Sequence, residues 1–418
     1  MQRRMLPLAL LIGLTTMPAF AGTQALLPPQ SSDMVPASLI PRNTAKPVLA
    51  MATAATPQIH TERQPVSINW ALPHDVSMQP VPQSFTRSSR EYWLDVSADE
   101  LRQGVSLPLS APGAIIRISP SDTVAGRLTP DKVQLTLGRQ SLSANQAASQ
   151  LADTASLQAA GMQVPAASTV MRLKPELGAG MATLQAANPS GSYVVHVFEP
   201  NSAFSVSAHA DRDDALLGQH VHVNVSMQNG SHPQPLQSVG GFLRAPDGST
   251  TSLDYRAQAD GSYAADATPA SISSTPGLWE IHSFTVGDDG AGNAVRRDTT
   301  TVFSAALPNA HFDGSASTQR ASGNGIDISI GVTAANASRY AVSAVLYGRD
   351  GNGRMVPAAY AQSANWLAAG SGKLVLHYDA SNLHGVDAPY ELHDLRLQDQ
   401  PAIALVERRA LALRFDTP

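Results

Sequence analysis

Residues 220–227 read His-Val-His-Val-Asn-Val-Ser-Met. Side chains of an extended chain alternate between faces, so Val221, Val223, Val225 and Met227 share one side and His220, His222, Asn224 and Ser226 the other. The stretch is a half-buried β-strand. Turn-forming clusters follow at short intervals: Asn229-Gly230, Pro246-Asp247-Gly248, Asp260-Gly261, Pro276-Gly277 and Asp288-Asp289-Gly290. Strands fit between them over residues 239–244, 251–255, 278–286 and 295–304, with Trp279 as the large core residue beside Ile281. Several short strands with turns at this spacing predict an antiparallel sandwich over residues 201–310.

The same texture extends to both sides. Downstream, over 311–418, Ile326, Ile328, Ile330 and Val332 alternate with polar or small residues, as do Tyr340, Val342, Ala344 and Leu346, then Leu374, Leu376 and Tyr378. Asp350-Gly351-Asn352-Gly353 is a hairpin turn, and residues 390–397 lose phase midway, which predicts a bulge. Upstream, over 86–200, Tyr92, Leu94 and Val96 alternate, and residues 193–198 form a closing strand. Two capping boxes interrupt this block: Ser97-Ala98-Asp99-Glu100, stopped by Gly104, and Ser143-Ala144-Asn145-Gln146. The second opens an Ala-rich stretch running to Gly161 and predicts a helical insertion, although its apolar stripe (Leu151, Leu157) is thin.

The N-terminus has a different grammar. Arg3 and Arg4 precede the uncharged apolar run 6–14, and Ala19-Phe20-Ala21 is a small-x-small cleavage site. This is the order of a bacterial secretory signal peptide cut after Ala21, with an apolar core too short to span a bilayer. Residues 22–85 are poor in charge and carry prolines at 28, 29, 36, 41, 47, 57, 65, 73, 80 and 82. They read as an extended linker, within which Ile68, Trp70 and Leu72 have the alternation of one added strand. The fold expected is all-β: signal peptide (1–21), Pro/Ala/Ser-rich linker (22–85), a β-rich domain with a helical insertion (86–200), and two immunoglobulin-like sandwiches (201–310 and 311–418). Export places the product in the periplasm or outside the cell.

Composition bounds the chemistry. The 418 residues include no Cys, so thiolate zinc sites, Cys nucleophiles and disulfides are excluded. A net charge of −5 lacks the basic face of a nucleic-acid binder. Nothing after the signal approaches the roughly 20 apolar residues of a transmembrane helix, and no Cys follows the cleavage site to carry a lipid anchor.

Two resemblances follow from these residues. Ala208-His209-Ala210-Asp211 through residues 217–223, with Asp260-Gly261-Ser262-Tyr263 and Pro276-Gly277-Leu278-Trp279, resemble bacterial Ig-like and macroglobulin-type domains. Residues 193–201 (YVVHVFEPN), 277–280, 388–392 (APYEL) and 395–399 (LRLQD) resemble a domain-of-unknown-function family of secreted proteobacterial proteins built from consecutive Ig-like domains. That likeness implies architecture and compartment and brings no catalytic residues.

Motifs for catalysis are few. There is no H-E-x-x-H and no G-x-S-x-G. Gly370-Ser371-Gly372-Lys373 lacks the upstream Gly and the following Ser or Thr of a phosphate loop, and precedes a strand. Asp211, Asp213 and Asp214 crowd a domain junction, where hard carboxylate oxygens can hold a structural Ca²⁺; a solvated turn is the competing reading. His220 and His222 point to one face, as two ligands of a transition metal do, or simply as a polar sheet surface. His196 reads as a satisfied core or interdomain histidine, and His377, His384 and His393 have no ligand spacing. No other cofactor is indicated. The function expected is non-catalytic binding or scaffolding, with a protein or glycan of the cell envelope or extracellular milieu as partner. An accessory or inhibitory partner of a secreted enzyme, and a hydrolase with an interdomain site, are the alternatives.

Overall fold

A computed structural model describes residues 22–42, 63–78, 85–159, 161, 164–271 and 275–416. The expected signal peptide, and residues 43–62 and 79–84 of the expected linker, lie outside the described residues. The regular structure of the described chain is nearly all β, with three short α-helices, and its strands form pairs of sheets facing across apolar cores. It divides into two compact units, Pro82–Ala306 on one hand and Met1–Val81 with Leu307–Pro418 on the other. Among the described residues, no helix is long and apolar enough to cross a membrane.

The unit Pro82–Ala306 holds two sandwiches. In the first, the sheet order is Glu91–Ser97, Ser192–Phe198, Ile115–Pro120, Thr169–Leu173, Ala148–Asp153. It faces a second sheet ordered Val105–Leu109, Gly180–Ala186, Val133–Leu137, Gln140–Ser143. Tyr92, Ile116, Ile118, Val195 and Val197 meet Leu107, Leu135 and Leu184 in its core. Ser97 caps the helix Ala98–Gln103 in a complete capping box, and Gly104 stops it at φ 114°, a conformation that disfavours any other residue.

The second capping box is also formed, but its helix is only Ala144–Ala147. The expected continuous helix to Gly161 is corrected here: residues Ala148–Asp153 are a strand paired with Thr169–Leu173, and a second short helix, Thr154–Ala159, follows. A stripe as thin as Leu151 and Leu157 gives a helix little to bury, whereas strand pairing satisfies the backbone and buries Ala148.

In the second sandwich, the stretch that opened the reading is the strand Val221–Asn229, whose valines and Met227 are all buried. Its neighbours are Tyr263–Ala267 on one side and Phe204–Ala210 on the other, with Thr86–Ser89 paired beyond the latter. Residues 86–89, expected in the first block, thus belong to the second sandwich. The facing sheet runs Asp214–Leu216, Ala294–Ala306, Trp279–Asp288, Leu236–Arg244, Thr250–Ser252. Trp279 is buried and stacks on Phe303, centroids 6.4 Å apart.

The remaining unit is a sandwich of Gly22–Ala25, Ala310–Arg320, Ile326–Ala334 and Gly370–Tyr378 against Val66–Ala71, Met355–Leu367, Ser338–Arg349, Asp387–Asp399 and Ala404–Phe415. Two of its strands come from the stretch expected to be a linker. Gly22–Ala25 pairs antiparallel with Ala310–Arg320, Leu26 enters the core, and Val66–Ala71 pairs with Met355–Leu367. The bulge lies where the phase was lost: register shifts between Leu392 and His393, and Asp394 adopts φ 49° while its carboxylate binds Arg396 and Arg408.

Candidate functional site

The metal candidates each have their own partners. Asp211 accepts hydrogen bonds from Arg212 (2.8 Å) and from the His222 amide (3.0 Å). Asp213 accepts from the Phe85 amide at 2.7 Å, and Asp214 from the Ser304 hydroxyl at 2.5 Å. His220 Nδ1 meets Thr268 Oγ1 at 2.7 Å, and His222 Nδ1 meets Asp266 at 3.0 Å. His222 also lines a polar cleft of about 340 Å³ with Asp254, Arg256 and Asp266. Among the described residues, no three His, Asp or Glu side chains come together as a metal site.

A pair that spacing did not reveal joins the first two sandwiches. Glu199, just past the strand Ser192–Phe198, meets Arg297 at 2.7 Å, with both side chains fully buried. Glu199 accepts from the amides of Ser110 (2.6 Å) and Ala111 (3.0 Å) and from the Ser110 hydroxyl. The guanidinium donates to the carbonyls of Phe204 (3.1 Å) and Arg296 (2.6 Å) and to the hydroxyls of Ser110 and Ser202 (2.8 Å each). With Glu199, these partners account for all five N–H donors of the guanidinium, the condition under which a buried charge is tolerated. Burial pulls the Arg297 pKa down, and Glu199 works against it.

Asp298 sits beside this joint and accepts from the Trp93 amide of the first sandwich at 2.7 Å. Burial pushes its carboxyl up to about 7, against that hydrogen bond. Trp93 stacks on His196, centroids 4.8 Å apart, and His196 Nε2 meets Glu91 at 2.9 Å. Burial acts to raise Glu91, but His196, Arg87 and Arg117 outweigh it and its pKa is lowered. The joint is buried and polar, and each donor of its guanidinium has an acceptor.

The open surface lies elsewhere, on the C-terminal sandwich. Val66–Ala71 is the edge strand of its sheet. Asn69 turns to one side and bonds Asp379 and Asn382. Val66, Ile68 and Trp70 turn to the other and remain 45–47% exposed. Trp70 packs on the facing Tyr360, centroids 4.6 Å apart, and Tyr347 packs on His393 in the same sheet. Beside this edge, a slot of about 350 Å³ is lined by Val66, Ser363, Asn365, Lys373, Leu374 and His377, among others.

Comparison with known proteins matches this architecture. Residues 57–199 match the N-terminal domain, and residues 309–416 the C-terminal domain, of the domain of unknown function DUF4785. The crystal structure of a DUF4785 family protein from Legionella pneumophila aligns with a TM-score of 0.68 at 22% identity, covering 93% of this chain and 99% of that one. Two α2-macroglobulins, from E. coli and Salmonella, align at TM-scores of only 0.20 and 0.21 and identities of 10% and 12%. They cover 84% and 83% of this chain and 23% and 24% of their own, a likeness too slight to carry an argument. No curated protein matches the chain. With both family domains in place and the fold shared nearly end to end, the chain belongs to the DUF4785 family.

Proposed function

We propose that this protein is a non-catalytic binding or scaffolding protein of the bacterial cell envelope or secretome, exported by a leader cut after Ala21. The observation that supports binding is the apolar stripe Val66, Ile68 and Trp70 on an edge strand. An exposed apolar row beside unpaired backbone is the kind of surface that natural proteins cover or use for partners. The bonded Glu199–Arg297 joint supports scaffolding, because it fixes two sandwiches as one piece. Export is supported by the order of the N-terminal sequence, where Arg3 and Arg4 precede the apolar run 6–14 and the small-x-small site Ala19-Phe20-Ala21. The partner is a protein or glycan of the envelope or extracellular milieu.

The test is capture from envelope extract and culture supernatant with the mature chain as bait, alongside Ile68→Asp and Trp70→Asp. The reading expects a partner retained by the wild type and lost from both variants, with their melting curves unchanged. Equal retention by all three, or hydrolysis of a substrate in a broad screen, would overturn it.

A further inference from the structure

The slot beside the edge has a construction of its own. It lies within the C-terminal sandwich, between the last strand of one sheet, Gly370–Tyr378, and the edge of the other, Val66–Ala71 with Met355–Leu367. Ser363 is 7% exposed and lines the slot, and its hydroxyl has no hydrogen-bond partner among the described residues. An unpartnered buried hydroxyl is costly, and a ligand atom placed there would recover that cost. Leu374 supplies apolar wall next to it. At the mouth, Lys373 and Val375 are exposed, and Lys373 has no ion-pair partner among the described residues. His377 is different: Asp327 (2.6 Å) and Asp379 (3.0 Å) hold it, so it offers no free charge.

We propose that this slot receives one extended peptide strand of a protein partner, added to the free edge of Gly370–Tyr378. The proposal rests on the binding reading above and names its chemistry. A strand added to an edge alternates its side chains between the two faces of the sheet. Its inward residues enter the slot, where one with an apolar stem and a hydrogen-bonding atom meets Leu374 and the Ser363 hydroxyl. Its outward residues lie beside Lys373 and Val375, so an acidic side chain opposite Lys373 and an apolar one opposite Val375 complete the match. The edge backbone supplies affinity, and these pockets supply the pattern.

The probe is a set of blocked, fluorescein-labelled nine-residue peptides in which Val and Thr alternate and a single Asp is moved through the positions. Binding to the full mature chain is read by anisotropy. The best member is expected to weaken at least tenfold when alternate peptide nitrogens are methylated, because strand addition needs them. Ser363→Leu, which fills the slot, is expected to weaken it at least fivefold. Lys373→Glu, on the surface and safe for folding, should weaken the Asp peptide and bind its Lys-substituted counterpart instead. No binding to the wild type, equal binding of the methylated peptide, or indifference to Lys373→Glu would each overturn the proposal. A concentration-dependent dimer abolished by Ser363→Leu would assign the slot to a second copy and overturn it too. Capture through Trp70 without peptide binding would remove this inference alone; peptide binding without Trp70-dependent capture would remove the broader reading alone.

Discussion

At the scale of single residues, the buried charges are the most consequential feature. The Glu199 and Arg297 side chains sit at 0% exposure, and removing one partner leaves the other an unpaired buried charge. Arg297→Ala should therefore cost roughly 3–5 kcal/mol in urea unfolding. The double change Glu199→Gln with Arg297→Met should cost much less than the sum of the single ones, which a double-mutant cycle would read. Asp298 gives a pH signature. Its folded pKa is raised from 3.8 to about 7, so the folded state holds a proton that the unfolded state releases. Its favourable contribution is fully present below pH 3.8 and is lost as pH rises towards 7. Relative to Asp298→Asn, the wild type should lose on the order of a few kcal/mol between those limits, measured by denaturant melts at matched pH. Parallel curves for the two proteins would refute the assignment. None of these partners was legible as a pair, since Glu199 and Arg297 are brought together by the fold alone. A signal was present all the same. The segments YVVHVFEPN and LRLQD, on which the family likeness rests, contain Glu199 and Asp399, both acids with under 2% of the residue exposed. Asp399 binds Arg42, Asn309 and Ser338. Both motifs thus carry a buried acid that ties neighbouring segments together.

At the scale of elements, alternation was the readable code. Val221–Asn229 and Ile326–Ala334 bury the residues their period selects. The Ala-rich stretch failed because a capping box specifies where a helix starts, not how far it runs; pairing with Thr169–Leu173 decided that. Prolines obscured the strand Val66–Ala71, although Ile68 and Trp70 already showed its period. Ile68 and Trp70 stand nearly half exposed, so Trp70→Asp should change stability by no more than about 1 kcal/mol while altering partner capture. The acidic turn at 211–214 leads to a further expectation. Each carboxylate already serves donors of the chain, so millimolar Ca²⁺ or EDTA should leave the melting temperature within about 1 °C, as scanning calorimetry can check.

At the scale of the whole molecule, Cys-free stability rests on cores and bonded polar groups rather than covalent links. Division of the chain into three blocks was visible in the turn spacing, but the ownership of residues 22–78 was not, because their partners are supplied by segments beyond residue 306. A polypeptide of residues 307–416 alone lacks two strands of its sandwich and should be unfolded or aggregated by circular dichroism and light scattering. Supplying residues 22–78 should restore a cooperative melt. This discontinuity also sets the order of events during biosynthesis. Gly22 pairs with Thr318 and Trp70 with Tyr360, so the first strands made must wait while the entire Pro82–Ala306 unit emerges between them. Such distant pairing is slow to form and leaves an apolar strand exposed in the interval. The protein is consequently one whose last-synthesised segment licenses its first: a ribosome that stalls before residue 307 holds a chain whose Leu26 has no core to enter and whose strands Gly22–Ala25 and Val66–Ala71 have no partners, a substrate for chaperones or proteases.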